Sequence, residues 1–273
     1  MKNVIYTFSI CLAVLSSGEA LSHDINSSTP QTSTENKTEN KNVKPPVSGK
    51  VSLDFLRSKG NIDERAMGYG LSLKFKGTAN EVFLKLEGDR GEIQRMTYID
   101  ELEASALNIY HLNETSAIYG KLTYYQNEPR GYRNQRRVGG GYLHTFYKNQ
   151  LDKDKFKKKE FQLKEQYFKA RIGYQNRNNI YTTEAHDHQD YLQLGSRLRH
   201  PLMKNISLFA ELNYMIDFSN SKDYEIENLF SFIFYVNKKI DVQIEYERIY
   251  SNIPVFEKEK TDSYLGTSII YKF

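Results

Sequence analysis

Residues 206–218 read ISLFAELNYMIDF. Ile206, Leu208, Ala210, Leu212, Tyr214, Ile216 and Phe218 recur at every second position, with Ser207, Glu211, Asn213 and Asp217 among the residues between them. A period of two belongs to a β-strand whose two faces meet different surroundings. The run is too long for a soluble sandwich, whose strands average about 5–6 residues. It suits a tilted strand crossing a membrane, which needs about 9–11. The polar face carries a full charge at Glu211, which a dry core does not tolerate and a watery lumen does.

The same alternation recurs along the chain. It is clear in Val51/Leu53/Phe55, Tyr69/Leu71/Leu73/Phe75, Val82/Leu84/Leu86, Ile118/Leu122/Tyr124, Phe168/Ala170/Ile172/Tyr174, Leu192/Leu194/Leu198 and Ile240/Val242/Ile244/Tyr246. Less regular segments lie near 96–111, 133–148 and 224–236. With the terminal segment this makes about twelve strands, at a repeat of roughly 19 residues including turns. The reading is all-β: a transmembrane antiparallel up-and-down β-barrel with both termini periplasmic. Four short connections, KGTAN, HLNET, HPLMKN and VNKK, are expected to face the periplasm. GDRGEIQR, QNEPRGYRNQRR, NRNNIYTTEAHDHQD and SNIPVFEKEKT are expected outside as longer polar loops. The basic connection KNQLDKDKFKKKEF (148–161) falls on the periplasmic side by this count and is long for that side.

Bulk properties agree with a barrel. The 273 residues are 39% hydrophobic, with a mean hydropathy of −0.66. Only one apolar run approaches the length of a membrane helix, and it sits at the N-terminus, which excludes a helical membrane protein. Barrel strands escape such a test because every second residue faces the lumen. The 21 Tyr and 15 Phe suit interfacial girdles, although Trp is absent. A net charge of +4, mixed in sign, does not suggest nucleic-acid binding.

Residues 1–20 read as a signal peptide: a basic MKN, the apolar VIYTFSICLAVL, and SSGEA with Gly18 and Ala20 at −3 and −1. Cys11, the single cysteine, lies inside the apolar stretch, so the mature chain has neither disulfide nor thiol chemistry. Residues 21–49 are rich in Ser, Thr, Asn, Lys, Glu and Pro, with almost nothing to bury. They read as a disordered leader, either a spacer or a tether. Residues 50–273 form the barrel in this reading.

The chain ends DSYLGTSIIYKF (262–273), alternating to its last residue, which implies a paired closing strand. The ending NIPVFEKEKTDSYLGTSIIYKF and the opening SGKVSLDFLRSKGNIDERAMGYGLSLKF resemble the YdiY-like salt-induced outer-membrane proteins, domain of unknown function 481, over about residues 48 to 273. The resemblance implies an outer-membrane barrel of unassigned biochemical activity and supplies no catalytic residues. Gly266, Ile269, Tyr271 and Phe273 resemble the signal read by the bacterial barrel-assembly machinery. That implies the machinery, periplasmic chaperones, outer-membrane lipid and lipopolysaccharide as partners, in the outer membrane of a Gram-negative cell.

Candidates for chemistry are weak. A phospholipase needs a Ser–His pair with an acid or carboxamide; His144 is followed by Thr145 and reads as an interfacial residue. His186, Asp187 and His188 offer two imidazoles in a presumed loop but no third ligand, so no metal site is assigned. The glycines of VGGGY (138–142) and GYG (68–70) precede no helix that could hold a phosphate, and are expected to permit bends or close packing. Arg130, Arg133, Arg136 and Arg137 are placed at an outer rim near lipopolysaccharide phosphates. No cofactor is expected, and the protein is not expected to be an enzyme.

The polar face carries the most information. Lys169, Arg171, Arg197 and Arg199 line one wall; Glu211, Asp217, Glu227, Asp241, Glu245 and Glu247 line its neighbour. Two readings stand: a transverse field that sorts solutes in a pore, or salt bridges that satisfy the interior. The functional expectation is a structural or pore-like barrel passing small polar solutes or supporting the envelope under osmotic stress. The alternatives are an enzyme acting on lipid or lipopolysaccharide, and an adhesin or receptor using its outer loops.

Overall fold

The computed structural model describes residues 47–59, 64–93, 96–128, 130–149 and 166–273. Twelve strands form one closed barrel in which each strand pairs with its sequence neighbours and β12 closes on β1. They are β1 (Val47–Lys59), β2 (Glu64–Lys76), β3 (Asn80–Ile93), β4 (Met96–His111), β5 (Ser116–Asn127), β6 (Tyr132–Asn149), β7 (Gln166–Tyr181), β8 (His186–Met203), β9 (Ile206–Asp217), β10 (Tyr224–Tyr235), β11 (Ile240–Ser251) and β12 (Thr261–Lys272). Pairing is antiparallel throughout, and the β1–β12 seam runs from Lys50 opposite Lys272 to Lys59 opposite Ser263. Gly49 and Phe273 exchange backbone hydrogen bonds of 2.9 and 3.1 Å, so both ends of the barrel segment lie at one rim. The Phe273 ring also covers the position where Gly49 lacks a Cβ. Strand β1 therefore begins three residues ahead of Lys50. Residues 1–20, expected as a signal peptide, and nearly all of the segment expected as a leader lie outside the described residues.

Alternation sorts each strand's side chains. Leu53, Phe55, Leu71, Ile118, Val138, Ile172, Leu194, Phe230, Ile244 and Leu265 all point outward and stay exposed. A continuous apolar exterior of this extent has no place in water and matches a hydrocarbon layer. Aromatic groups border it at both rims. Near the termini, His144 packs on Phe146 at 4.8 Å and Phe146 on Phe168 at 5.2 Å. At the far rim Tyr174 faces Phe218, and Tyr214, Tyr224 and Tyr250 form a row at 5.9 and 6.0 Å.

The four short connections all lie at the terminus-side rim, between β2 and β3, β4 and β5, β8 and β9, and β10 and β11. Asn113 and Asn237 tighten two of them: their side-chain oxygens accept backbone N–H bonds from Ser116 at 2.8 Å and Ile240 at 2.9 Å. Three segments expected as long outer loops are mostly strand. β3 and β4 extend through GDRGEI, with a bulge at Asp89/Arg90. β7 and β8 extend to a turn of only 182–185, so the His186–His188 segment starts a strand. β5 and β6 leave only 128–131 between them. The physical reason is that a strand whose inner face meets polar partners has the composition of a loop. SNIPVFEKEKT is a true connection, between Ser251 and Thr261. Most of the basic 148–161 connection lies outside the described residues.

Candidate functional site: the charged lumen

In antiparallel strands directly opposed residues share a face, and the registers place every proposed wall residue inward. Lys169 pairs with Arg197, and Tyr167 with Arg199; Arg197 also pairs with Glu211, and Tyr191 with Asp217. Glu245 lies opposite Ser231 on β10 and Gly266 on β12. Of the closing-strand residues, Gly266 faces the lumen while Ile269, Tyr271 and Phe273 are exposed on the outer face.

The charges separate along the barrel axis as well as around the wall. Toward the termini, Lys50, Lys74, Lys169, Arg171, Arg197, Arg199 and Lys272 outnumber Glu81, Glu211 and Asp241. Toward the far rim, Asp89, Glu101, Glu103, Glu225, Glu227, Glu247 and Asp262 outnumber Arg130, Arg137 and Arg177. The separation of charge around the wall is thus accompanied by a separation along the axis.

The two halves also differ in packing. In the terminus-side half Glu211 is gripped by Arg197 at 2.6 Å and Arg171 at 3.2 Å. Arg171 also donates to Asn213 at 2.6 Å, and Asn213 to Glu227 at 3.2 Å. Room for Arg171 comes from Gly195, where a Cβ would lie 2.6 Å from its Nε. Likewise the Tyr119 hydroxyl crosses the glycine face of β6 and β7 at Gly141 and Gly173 and donates to Gln193 at 3.4 Å. These glycines permit close packing, as expected of VGGGY. Water still reaches this half: the Arg197 side chain is 42% exposed.

The far half is filled. Arg130, from the short turn after β5, crosses the lumen to Asp262 on β12 at 3.0 Å and approaches Glu225 on β10 at 3.9 Å. Arg177 on β7 holds the other Glu225 oxygen at 3.2 Å, and its guanidinium lies 4.4 Å from the Tyr191 ring centre. Asn127 accepts from the Arg130 backbone N–H at 2.9 Å and donates to Glu101 at 3.0 Å. Gln135 donates to Asn179 at 2.7 Å, and Asn179 to Gln189 at 2.9 Å. Arg177 is 2% exposed and Gln135 and Asn179 are 0%. Behind this layer Gly131, at φ 91°, packs where a Cβ would lie 2.8 Å from Val255 of the β11–β12 connection. Its carbonyl accepts the Thr182 N–H at 3.0 Å. A left-handed, crowded position of this kind requires glycine.

Arg130 and Arg137 therefore do not sit on the outer rim, where the sequence reading placed them. Arg130 is buried, and Arg137 points inward opposite Arg177, 4.8 Å from the Tyr125 ring centre. Arg133 is exposed, paired with Glu184 at 3.0 Å. Asp217 contributes less to the wall than expected: its carboxylate accepts the Ser219 and Asn220 N–H groups at 2.6 and 3.1 Å and shapes the β9–β10 turn. Arg177 could have been found by extending the parity of Lys169 and Arg171. Arg130 carried no such signal, because turn residues have no parity. His144 lies on the outer face among rings, and the His188 ring meets Asn176 at 2.9 Å.

Comparison with solved structures places this barrel among outer-membrane porins and channels in fold. The NanC porin superposes with a TM-score of 0.53 at 8% identity, over 82% of this chain and 100% of that one. The COG4313 outer membrane channel from Pseudomonas putida F1 gives 0.49 at 12% identity, over 88% and 100%. The KdgM porin in complex with disordered oligogalacturonate gives 0.44 at 10%, over 81% and 99%. Of these three the NanC porin alone exceeds a TM-score of 0.5, and it shows a shared barrel fold. No curated protein sequence matched. A family model covers residues 51–273, in agreement with the resemblance carried by the two ends of the barrel segment. The chain therefore belongs to the family described as "Protein of unknown function, DUF481".

Proposed function

We propose that the protein is an outer-membrane pore of restricted opening, exported by its signal peptide and inserted with both termini in the periplasm. The observation that carries this reading is one closed barrel with an apolar exterior, a charged and hydrated inner half, and a far half closed by buried ion pairs. Small polar solutes enter the basic half from the periplasmic side and pass when the closing layer loosens. In a water-filled channel with low-dielectric walls the axial charge gradient is focused, so it acts on any ion in transit. Assembly in this reading uses the barrel machinery and periplasmic chaperones, with outer-membrane lipid and lipopolysaccharide as the surroundings. No catalytic step is proposed.

The test is planar-bilayer conductance of the refolded mature chain. Small, infrequent openings are expected, with a current–voltage curve that rectifies because the two halves differ in charge. A barrel that stays silent at all voltages, and stays silent once the closing layer is cut, is not a pore. Envelope support under osmotic stress would then be the better reading, since the same buried layer braces the wall.

A further inference from the structure

We propose that the terminus-side half of the lumen is a binding site for a small soluble polyoxyanion, of the phosphate or dicarboxylate class, centred on Lys50 and Arg199. Lys50 lies directly opposite Lys272 across the closing seam, and opposite Ser72 on β2, which makes Lys74 its diagonal neighbour. Like charges placed directly across a strand pair are destabilising; Asp241, 2.5 Å from the Lys272 ammonium, offsets part of this, which leaves Lys50 as the cation of the pair without a salt bridge among the described residues. Arg199, on β8, reaches the same end of the lumen: it donates to the Tyr235 hydroxyl at 2.7 Å, and the Lys272 ammonium lies 5.8 Å from the centre of that ring. Lys50 feels the charges of Arg199, Lys272 and Lys74 against that of the carboxylate Asp241.

The carboxylates near this end are already engaged. Glu81 is bridged by Lys74 at 3.0 Å, Glu211 by Arg171 and Arg197, and Asp241 by Lys272 at 2.5 Å. Among the described residues Lys50 and Arg199 have no carboxylate within salt-bridge distance. Arg199 donates to the Tyr235 hydroxyl, at 2.7 Å, and its buried Nε has no hydrogen-bond partner among the described residues. That hydroxyl in turn donates to Ser207 at 3.0 Å, which fixes the guanidinium's position. Lys50 is exposed to solvent although the barrel wall surrounds it, so a solute can reach it through the lumen. An ammonium and a guanidinium at the same end of the lumen suit a solute with two or more anionic oxygens, because each cation makes charge-assisted bonds to a different oxygen. Lumen-facing groups are out of reach of bilayer headgroups, so the ligand is a free solute.

The experiment is calorimetric titration of the refolded mature chain in detergent with pyrophosphate, and separately with succinate, at constant ionic strength set by chloride. Saturable binding of at least one is expected, weakened about tenfold or more by Lys50→Gln with Arg199→Gln, as loss of charge-assisted bonds implies. Lys222→Gln, an exposed control at the far rim, should leave affinity unchanged. No binding to the parent, or equal affinity in the double variant, overturns the proposal. If the double variant fails to fold, Lys50→Gln alone decides: an affinity equal to the parent's refutes the site. Binding is read here without conduction, so a null titration and a silent bilayer refute different statements.

Discussion

Arg130→Ala tests whether the far mouth is held shut by one side chain. Turns β5–β6 and β11–β12 lie on opposite sides of the closed ring, and Arg130 spans it with a 3.0 Å bond to Asp262 and a 3.9 Å contact to Glu225. Arg130 and both carboxylates are nearly buried. Breaking a buried pair by removing one partner costs about 3–5 kcal/mol, because the remaining charge keeps its desolvation penalty. The lower end applies, since Glu225 keeps Arg177 at 3.2 Å and water can enter the space vacated. Two measurements follow. The urea-unfolding free energy of the refolded barrel should fall by roughly 3 kcal/mol, with part recovered when Asp262→Asn is added, because the buried position that faced the guanidinium is then neutral. Conductance should rise from rare openings to a steady open level, and Arg130→Lys, which keeps charge without the guanidinium fork, should fall between. Parent-like stability together with parent-like conductance in Arg130→Ala would refute the strut and the closing layer built on it.

Three further outcomes are expected. Deleting Phe273 removes the ring over Gly49 and a backbone bond of the seam; the amount of heat-modifiable barrel in outer-membrane fractions should drop while export is unchanged, and parent-like amounts would contradict the closing role. Fusing residues 1–20 to Val47 should give an assembled barrel, whereas fusion to Lys50 should give less, because it removes Gly49 from the rim; equal yields would show that this pair is dispensable. Asp223, in the β9–β10 turn, has its carboxyl pushed up to about 6 by burial, then by Asp217. The native state therefore binds this proton more readily than the unfolded chain, so its contribution to stability grows as pH falls through 6 and is complete below the unfolded value near 3.9. Asp223→Asn should raise the urea midpoint at pH 7 and flatten its change between pH 7 and 5; an unaltered pH profile would remove Asp223 as the source.

Strand number, strand direction and the inner and outer faces were legible in the sequence, because one side of the strands is largely apolar and the other largely polar. That contrast is local, and it survives in a run such as Ile206–Asp217 without knowledge of any neighbour. The inward placement of Lys169, Arg171, Arg197, Arg199 and Glu211 followed from the same parity. Strand ends were not legible where polar residues bond to the opposite wall. Asn176 to Asp190 read as loop but pair from β7 to β8, because Arg177 and Asn179 are satisfied by Glu225 and Gln189 rather than by water. The contact across the far half of the lumen was decided by the tertiary structure alone. Arg130 and Asp262 stand 132 residues apart in the chain, and nothing in either segment names the other. Only ring closure of the twelve strands brings the turn after β5 across from β12, turning an arginine that looked like rim decoration into part of a buried ion-pair layer.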